Sequence, residues 1–380
     1  MDEGVLPPWL KKMKFIYCAP RYHTNLHFQI KVLRDHGHEV HFLSLYRGGS
    51  EYYDALEPDI LGYSGLFLFL NRFYNPPGGR LTKNSFELKY GFPPLFKLFR
   101  YFFQIKPDVV VIKNIESVYS VFTTIFARLF GARVVFLIQI PKFRSKLRSE
   151  SVHWVGKIFS AIVLTPVWGD SQFPNDNHNL FYLPFSYPLA VDKRELAPGG
   201  TFRLMCVGKF QERKGQLVLL KALSCLVARY PLKLTLVGQT DESKYYNQLL
   251  AYIRTNKLEE LVTIKQDLPW EEVQSEYLRH DIFILPSWLE SAAYSPLEAM
   301  AHGLAVITSD DNGTKNYIVE GENGYHFRVG DGVELAQKIE AIVQNSGTLT
   351  RMSQRSLEEV RNKYDPEQFY KQFRKVLGLS

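Results

Sequence analysis

Two glutamates, Glu290 and Glu298, lie in the segment PSWLESAAYSPLEAMAHG, which occupies residues 286–303. The largely apolar run 281–285 before it is typical of a buried strand, so both glutamates follow the carboxyl end of that strand. Open α/β sheets bind their ligands outside the carboxyl ends of the strands. Carboxylates accept hydrogen bonds from vicinal hydroxyls, and this segment is therefore the first candidate for a binding site.

A second candidate is the segment VGKFQERKG at residues 207–215, where Lys209, Arg213 and Lys214 lie between a predicted strand and a predicted helix. Cations at a helix N-terminus oppose the helix dipole unless an anion is bound between them. Lys209 and Lys214 supply two positive charges for a leaving diphosphate, and the chain contains no Asp-x-Asp metal motif. The pattern favours a metal-independent phosphate site, and solvated lysines beside a loop glycine are the alternative.

Glu298 also has a structural explanation. Ser295-Pro296-Leu297-Glu298 is a capping box with proline at the first helical position. Glu290 lies in a predicted loop and has no comparable explanation, which favours a functional role for the pair.

Strands and helices alternate along the chain, and this order is typical of doubly wound parallel sheets. Residues 46–95 between them are predicted to be irregular. The first half has predicted strands at 14–19, 38–45, 108–112, 133–139, 161–165 and 180–183, with helices at 26–35, 95–105, 117–130 and after the basic residues 142–148. The second half has strands at 202–208, 232–237, 261–265, 281–285 and 304–309, with helices at 215–229, 242–255, 271–278, 296–302 and 332–344.

The organisation that follows is two Rossmann-like α/β domains facing a central cleft. A proline- and glycine-containing stretch separates the two halves. The predicted divisions are a first Rossmann-like domain at 1–187, a linker at 188–200, a second Rossmann-like domain at 201–364 and a helix at 365–380 that packs back on the first domain.

The motifs together resemble the retaining glycosyltransferases of family four, which have the GT-B fold. Glu290 and Glu298 are separated by seven intervening residues, and the resemblance continues through EAMAHGLAVITSD, the EGENG of 320–324, VGKF and RKG in 207–215, and ILPS at 284–287. In the first half it is carried by GHEV at 37–40 and Pro107-Asp108. It spans most of the chain and is strongest in the second half.

The resemblance implies that domain 1–187 binds the acceptor and that domain 201–364 binds the nucleotide sugar. It also implies a role for each matching residue. Lys209 and Lys214 correspond to positions that contact the donor diphosphate, Glu298 to the position that holds the ribose hydroxyls, and Glu290 to the position that faces the transferred sugar. Lys209, Lys214 and Glu290 are the predicted catalytic residues. The predicted donor-binding residues are Arg213, Ala293, Tyr294, Ser295 and Glu298.

This chain departs from the family pattern at several positions. Ala293 stands where the family usually has glycine, and its methyl group narrows donor choice. His23-Thr24-Asn25 replaces paired glycines after the first strand, and Lys113 and Gln139 stand where histidines are expected near the acceptor. His23, Asn25 and Lys113 are therefore the predicted contacts for the acceptor or a phosphate, and an ordinary surface histidine is the alternative for His23.

The charge of the chain is distributed unevenly. Residues 1–190 contain 22 Lys and Arg against 14 Asp and Glu, whereas residues 191–380 contain 24 against 25. The aromatic and basic stripe at 92–103 indicates contact with an anionic membrane surface, with an ordinary core helix as the alternative. No signal peptide or transmembrane helix is predicted, and three cysteines without metal-ligand spacing fit a reducing compartment.

The motifs, taken with what the resemblance implies, predict a retaining, metal-independent hexosyltransferase that moves a sugar from a UDP or GDP sugar to a saccharide or lipid-linked acceptor. The expected setting is cell-surface polysaccharide or lipopolysaccharide biosynthesis, in the cytoplasm and at the inner face of the membrane. No cofactor and no nucleic-acid partner are expected. Two alternatives stay open: a nucleotide-sugar-binding module with impaired turnover, and a phosphorylase of the same architecture.

Overall fold

The computed structural model describes residues 12–48, 51–73, 83–113, 115–139, 157–167, 179–191, 196–197 and 200–379. The chain divides into two compact units. Unit 1 consists of Met1–Pro184 together with Tyr370–Ser380, and unit 2 is Phe185–Phe369. The helix predicted after the basic residues 142–148, and part of the predicted linker, lie outside the described residues.

Unit 1 is built on a parallel sheet of seven strands, which are β1 Lys14–Cys18, β2 Glu39–Ser44, β3 Asp59–Ile60, β4 Val109–Lys113, β5 Arg133–Leu137, β6 Ile162–Thr165 and β7 Leu180–Tyr182. Their order is β3-β2-β1-β4-β5-β6-β7. The helices are α1 His27–Asp35, α2 Gly65–Arg72, α3 Lys83–Tyr90, α4 Leu95–Ile105 and α5 Val118–Leu129. The central strands are almost wholly apolar and buried, as expected for a parallel sheet covered on both faces.

Unit 2 has a parallel sheet of six strands, which are β8 Phe202–Val207, β9 Leu232–Gly238, β10 Val262–Gln266, β11 Ile282–Leu285, β12 Ala305–Ser309 and β13 Gly324–Phe327. Their order is β10-β9-β8-β11-β12-β13. The helices are α6 Gln216–Ser224, α7 Ser243–Thr255, α8 Trp270–Arg279, α9 Ser295–Ala301, α10 Gly332–Val343 and α11 Ser346–Glu359. The final helix, α12, is Pro366–Val376.

Residues from Tyr370 onwards belong to unit 1, where they cover the first strand. The ring of Phe373 lies 6.1 Å from that of Phe15. The imidazole of His38 accepts a hydrogen bond from the backbone N–H of Met13, and its other nitrogen lies 2.9 Å from the hydroxyl of Tyr370. Because Nδ1 is the acceptor, Nε2 carries the proton and donates a hydrogen bond to the hydroxyl of Tyr370.

The predicted irregular region 46–95 is wrong in part, because it contains α2 and α3. Helix α2 starts after Ser64, whose side chain accepts a hydrogen bond from the backbone N–H of Phe67 at 3.1 Å. That cap satisfies a backbone donor that the first helical turn leaves open. Sequence reasoning passed over it because the apolar run Leu66–Leu70 has no helical periodicity. Strand β13 and helix α11 were also missed.

Candidate functional site

The winding of the unit 2 sheet reverses between β8 and β11, which are adjacent although two strands and three helices separate them in sequence. At such a switch point the loops after the two strands diverge and leave a crevice. The two strands are held together at their beginnings by Arg203, which makes two hydrogen bonds to the buried carboxylate of Asp281 at 2.9 and 2.7 Å. The loops that follow β8 and β11 carry Lys209, Arg213, Lys214 and Glu290.

Lys214 and Glu290 form an ion pair across this switch point. Nζ of Lys214 lies 2.5 Å from Oε2 of Glu290, and the two side chains are only 15% and 13% exposed. A guanidinium nitrogen of Arg213 lies 3.3 Å from the same oxygen. Three of the sequence-predicted site residues therefore meet at one carboxylate.

Gly215 allows the two loops to approach this closely. Its φ is +69°, which favours glycine, and a Cβ atom there would collide with the carbonyl oxygen of Pro286. Beside it, the backbone N–H of Trp288 donates to the carbonyl of Arg213 at 2.9 Å. Backbone contacts thus set the positions from which Lys214 and Glu290 reach each other.

The loop after β12 supports the Glu290 loop from the other side. The carbonyl of Glu290 accepts a hydrogen bond from the backbone N–H of Gly313 at 3.0 Å, and the carbonyl of Ala293 accepts one from the hydroxyl of Thr314 at 3.0 Å. Thr314 is fully buried, and Ala293 is only 5% exposed. The segment that carries Ala293 is therefore fixed by its backbone.

Lys209 does not join this ion pair. Its Nζ lies 3.1 Å from Oδ1 of Asp241 in the loop after β9, and both side chains are more than a third exposed. Gln211 also donates to Asp241. The hydrogen bond from Lys209 is the main reason that the pKa of Asp241 is lowered, so the carboxylate is charged at neutral pH.

Glu298 does not cap its helix, and the predicted capping box is wrong. The helix begins after Tyr294, with Ser295 as its first residue, and no side chain caps its N-terminus. The carboxylate of Glu298 is instead directed to α8, where it accepts hydrogen bonds from the hydroxyl of Tyr277 at 3.2 Å and the amide of Gln274 at 3.4 Å. Burial raises the pKa of Glu298 to about 7 despite these bonds.

Tyr294 is anchored by its ring and its hydroxyl. The hydroxyl donates to the carbonyl of Ser186 at 2.8 Å, and the ring packs against those of Phe185 and Tyr187 at 5.3 and 5.8 Å. Ser295 follows it at the first position of α9. Tyr294 and Ser295, two of the predicted donor-binding residues, therefore lie where the loop after β11 joins α9.

The residues predicted on the acceptor side lie at the equivalent place in unit 1. Lys113 is the last residue of β4, and His23 and Asn25 follow β1, the adjacent strand. Nζ of Lys113 donates to Oδ1 of Asn25 at 3.2 Å. Burial, together with the charges of Lys113 and Arg21, lowers the pKa of His23 well below its usual value, which keeps the imidazole neutral.

Several residues of the unit 2 site were missed by sequence reasoning. Asp241 comes from a loop after a third strand, and no local pattern connects it to Lys209. Gln274 and Tyr277 are three residues apart on α8, and that spacing places them on one helix face. This spacing was the one feature of the sequence from which a polar contact of α8 with a neighbouring element could have been predicted.

Metal binding has no visible basis in the part of the chain that the structure describes. No group of three or more His, Cys, Asp or Glu side chains there is arranged to hold a metal ion. Metal independence stays a prediction.

The family model for glycosyl transferases group 1 matches residues 190–359, a little under half of the chain, so this region is similar to a group 1 glycosyltransferase domain. The chain is 29% identical over 156 residues to the D-inositol 3-phosphate glycosyltransferase of Pseudarthrobacter chlorophenolicus, a match that covers 40% of this chain and 37% of the relative. It is 27% identical over 181 residues to the lipopolysaccharide core biosynthesis glycosyltransferase LpsE of Rhizobium meliloti, covering 47% and 51%. These matches span about a third to a half of the relatives' lengths.

Solved structures match the whole chain in fold. HepE of Anabaena in complex with UDP has a TM-score of 0.72 at 13% identity, over 97% of this chain and 100% of that chain. The sucrose-phosphate synthase of Thermosynechococcus elongatus has a TM-score of 0.68 at 15% identity, over 97% and 100%. The predicted α/β class, with two doubly wound Rossmann-like units as in GT-B glycosyltransferases, is confirmed. The cleft between them stays a prediction.

Proposed function

We propose that this protein is a retaining, metal-independent glycosyltransferase that moves a sugar from a nucleotide diphosphate to a saccharide or lipid-linked acceptor. The observation that supports this most directly is the ion pair of Lys214 and Glu290 at the switch point of the group 1 domain. It places a positive charge and a carboxylate side by side. A nucleotide sugar has the matching order of groups, an anionic diphosphate followed by a sugar with hydroxyls.

Charge stabilisation is the main demand of this reaction. An ammonium has three N–H donors, and Glu290 accepts one of those of Lys214, so the others can be directed to phosphate oxygens. Arg213 adds a second cation at the same carboxylate. Donors that are already in position when charge develops on the leaving group lower the barrier more than donors that must first reorganise.

In the proposed step the bond between the anomeric carbon and the diphosphate oxygen breaks, and the acceptor oxygen bonds to the same face of that carbon. The acceptor hydroxyl transfers its proton to the departing phosphate oxygen, so no protein nucleophile and no outside reactant is needed. Glu290 faces the sugar in this arrangement. Glu298 accepts hydrogen bonds from the ribose hydroxyls once its carboxyl group is ionised.

The donor is a UDP or GDP sugar. HepE was crystallised with UDP and with UDP-glucose, which favours the uridine nucleotide. The relatives include a lipopolysaccharide core glycosyltransferase and the capsular polysaccharide glycosyltransferase CapM of Staphylococcus aureus. These names support a role in cell-surface polysaccharide or lipopolysaccharide biosynthesis.

We also propose a cytoplasmic location at the inner face of the membrane. No helix in the described residues is long and apolar enough to span a bilayer. Helix α4 nevertheless exposes Phe96, Phe99 and Phe103 beside Arg100, and helix α5 exposes Leu129. The ring of Phe99 lies 6.0 Å from that of Phe126, so the two helices form one apolar surface. Exposed aromatic groups beside cations suit an anionic lipid surface.

The test has a binding stage and a turnover stage. A thermal-shift screen with UDP, GDP and ADP sugars identifies the donor, since a ligand that binds the native state raises its apparent stability. Turnover of that donor with an acceptor extract is then followed by release of nucleoside diphosphate and by NMR of the new anomeric linkage. Donor binding without turnover contradicts the transferase proposal, and consumption of free phosphate indicates a phosphorylase. An inverted linkage contradicts retention.

A further inference from the structure

Unit 1 has its own switch point, between the adjacent strands β1 and β4. Three chain segments end at the same edge of the sheet there: the loop after β1 with Arg21, His23 and Asn25, Lys113 at the end of β4, and Gln139 beyond β5. Lys113 pairs in register with Leu137, two residues before Gln139. This edge therefore gathers two cations, an imidazole and two amides.

Lys113 is the central group because it is only 4% exposed. A buried ammonium is costly unless an anion compensates it. In the described part of the chain its hydrogen-bond partner is the neutral amide of Asn25, and the charge that acts on it is the positive Arg21. Burial and Arg21 together lower the pKa of Lys113 to about 7.

Among the residues that the structure describes, the surroundings of Lys113 do not supply an anion that compensates it. Glu51 forms an ion pair with Arg21, and its side chain is 4% exposed. His23 is neutral. The amide nitrogen of Gln139 is buried and has no hydrogen-bond partner within the described ranges. Within the described part of the chain, the site thus combines a buried cation without a compensating anion and a buried N–H donor without an acceptor.

We propose that this edge of unit 1 binds the phosphoryl group of a phosphorylated acceptor, and that Lys113 is its principal contact. The proposal rests on the proposed transferase function and specifies its acceptor class. A phosphate monoester carries three acceptor oxygens and close to two negative charges, so it can accept hydrogen bonds from donors on several segments and compensate the charge of Lys113. A neutral saccharide satisfies the donors and leaves the charge uncompensated.

Calorimetry on the full chain tests the proposal near pH 8, where a phosphate monoester is fully ionised and Lys113 is mostly neutral. Titrations with inorganic phosphate, glucose 6-phosphate, glucose and detergent-solubilised farnesyl phosphate are run in two buffers of different ionisation enthalpy. Phosphate-bearing probes are expected to bind with uptake of nearly one proton, because a bound anion raises the pKa of Lys113. Glucose is expected to bind at least tenfold more weakly.

Matched variants test whether Lys113 is responsible for the affinity and for the proton uptake. Lys113→Met is expected to lose at least tenfold in affinity for the phosphate monoesters and to lose the proton uptake, and Gln139→Leu to lose affinity while keeping the uptake. Lys31→Met, which removes an exposed lysine of α1 paired with Asp35, is expected to behave as the unmodified chain. Thermal unfolding of each variant confirms that it is folded.

Each outcome decides the proposal. Tighter binding of glucose 6-phosphate or of farnesyl phosphate supports it and distinguishes a soluble from a lipid-linked source. It is overturned when glucose binds as tightly as glucose 6-phosphate, when neither monoester binds, or when Lys113→Met leaves both affinity and proton uptake unchanged. If Lys113→Met instead loses the thermal shift that the nucleotide sugar produces, the anion bound beside Lys113 is the donor diphosphate. Monoester binding without turnover contradicts the proposed transferase function but still supports a phosphate site at Lys113.

Discussion

Nζ of Lys214 lies 2.5 Å from Oε2 of Glu290, and this pair links the loop after β8 to the loop after β11. The two residues are 76 positions apart in sequence. A cation expected to contact phosphate and a carboxylate expected to face a sugar are thereby fixed beside each other before any donor is bound. The cation and the carboxylate are neighbours, as the diphosphate and the sugar are in a nucleotide sugar.

Replacing Lys214 by Met should reduce the transfer rate strongly. The variant keeps the length of the side chain, removes the charge that stabilises the leaving diphosphate and leaves Glu290 without its closest partner. Loss of one such donor typically lowers kcat by about 10²–10³-fold. Arg229→Met, which breaks the exposed ion pair with Glu340, should stay within about twofold. A Lys214→Met rate close to that of the unmodified chain would remove the residue from the site.

Glu298→Gln should stabilise the protein at alkaline pH. The folded pKa of about 7 lies above the usual value of 4.5, so the native state holds a proton that the unfolded chain releases between these values. Stability is therefore lost as pH rises through that window. The variant should exceed the unmodified chain by roughly 2–3 kcal/mol at pH 8 and by much less at pH 5. Thermal midpoints at the two pH values measure this, and a pH-independent difference would contradict it.

Gly215→Ala should destabilise unit 2 far more than the same change at Gly330. Both glycines have positive φ, +69° and +80°, so alanine costs about 1–2 kcal/mol at either. A Cβ at Gly215 also collides with the carbonyl of Pro286, whereas nothing lies within 4 Å at Gly330. The collision should add about 1–3 kcal/mol. Urea unfolding compares the two variants, and equal midpoints would show that the loops can separate at little cost.

Phe96→Ser should weaken binding to anionic vesicles. The side chain is 78% exposed, so its loss leaves the fold intact. Removing a phenyl group that inserts into lipid costs about 2 kcal/mol, or more than tenfold in partitioning. Val333→Ser, exposed to 67% in unit 2, is the matched control. Co-sedimentation at low and high salt measures both, and equal recovery of the unmodified chain with neutral and anionic vesicles at low salt counts against a membrane role.

Sequence reasoning placed most strands to within about two residues, because buried parallel strands appear as short apolar runs between turn residues. It failed where the signal was not periodic. The run Leu66–Leu70 forms a helix whose apolar side chains are mostly exposed, so neither helical nor strand periodicity was visible. Strand β13 has only four residues and lies at the edge of its sheet, where few apolar positions are required.

The candidate site, like the fold, was predicted only in part from the sequence. The types and order of Lys209, Arg213, Lys214 and Glu290 indicated an anion site near the end of a strand, and the structure brings three of them together. The partner of Lys209 depended on a loop from another strand, which no local pattern contains. The capping box at 295–298 matched in sequence, yet the helix starts directly after Tyr294 and burial directs Glu298 to Tyr277. Side-chain direction was decided by tertiary packing.

Unit 1 is discontinuous in sequence, since residues from Tyr370 onwards complete it. During synthesis unit 2, which is continuous, can therefore reach its native state while the first strand of unit 1 still lacks Phe373 and His38 still lacks Tyr370. The part of the chain that leaves the ribosome first is then the last to finish folding. A nascent chain stalled before residue 370 should expose the side of β1 that α12 covers, and that surface is a natural place for chaperone binding.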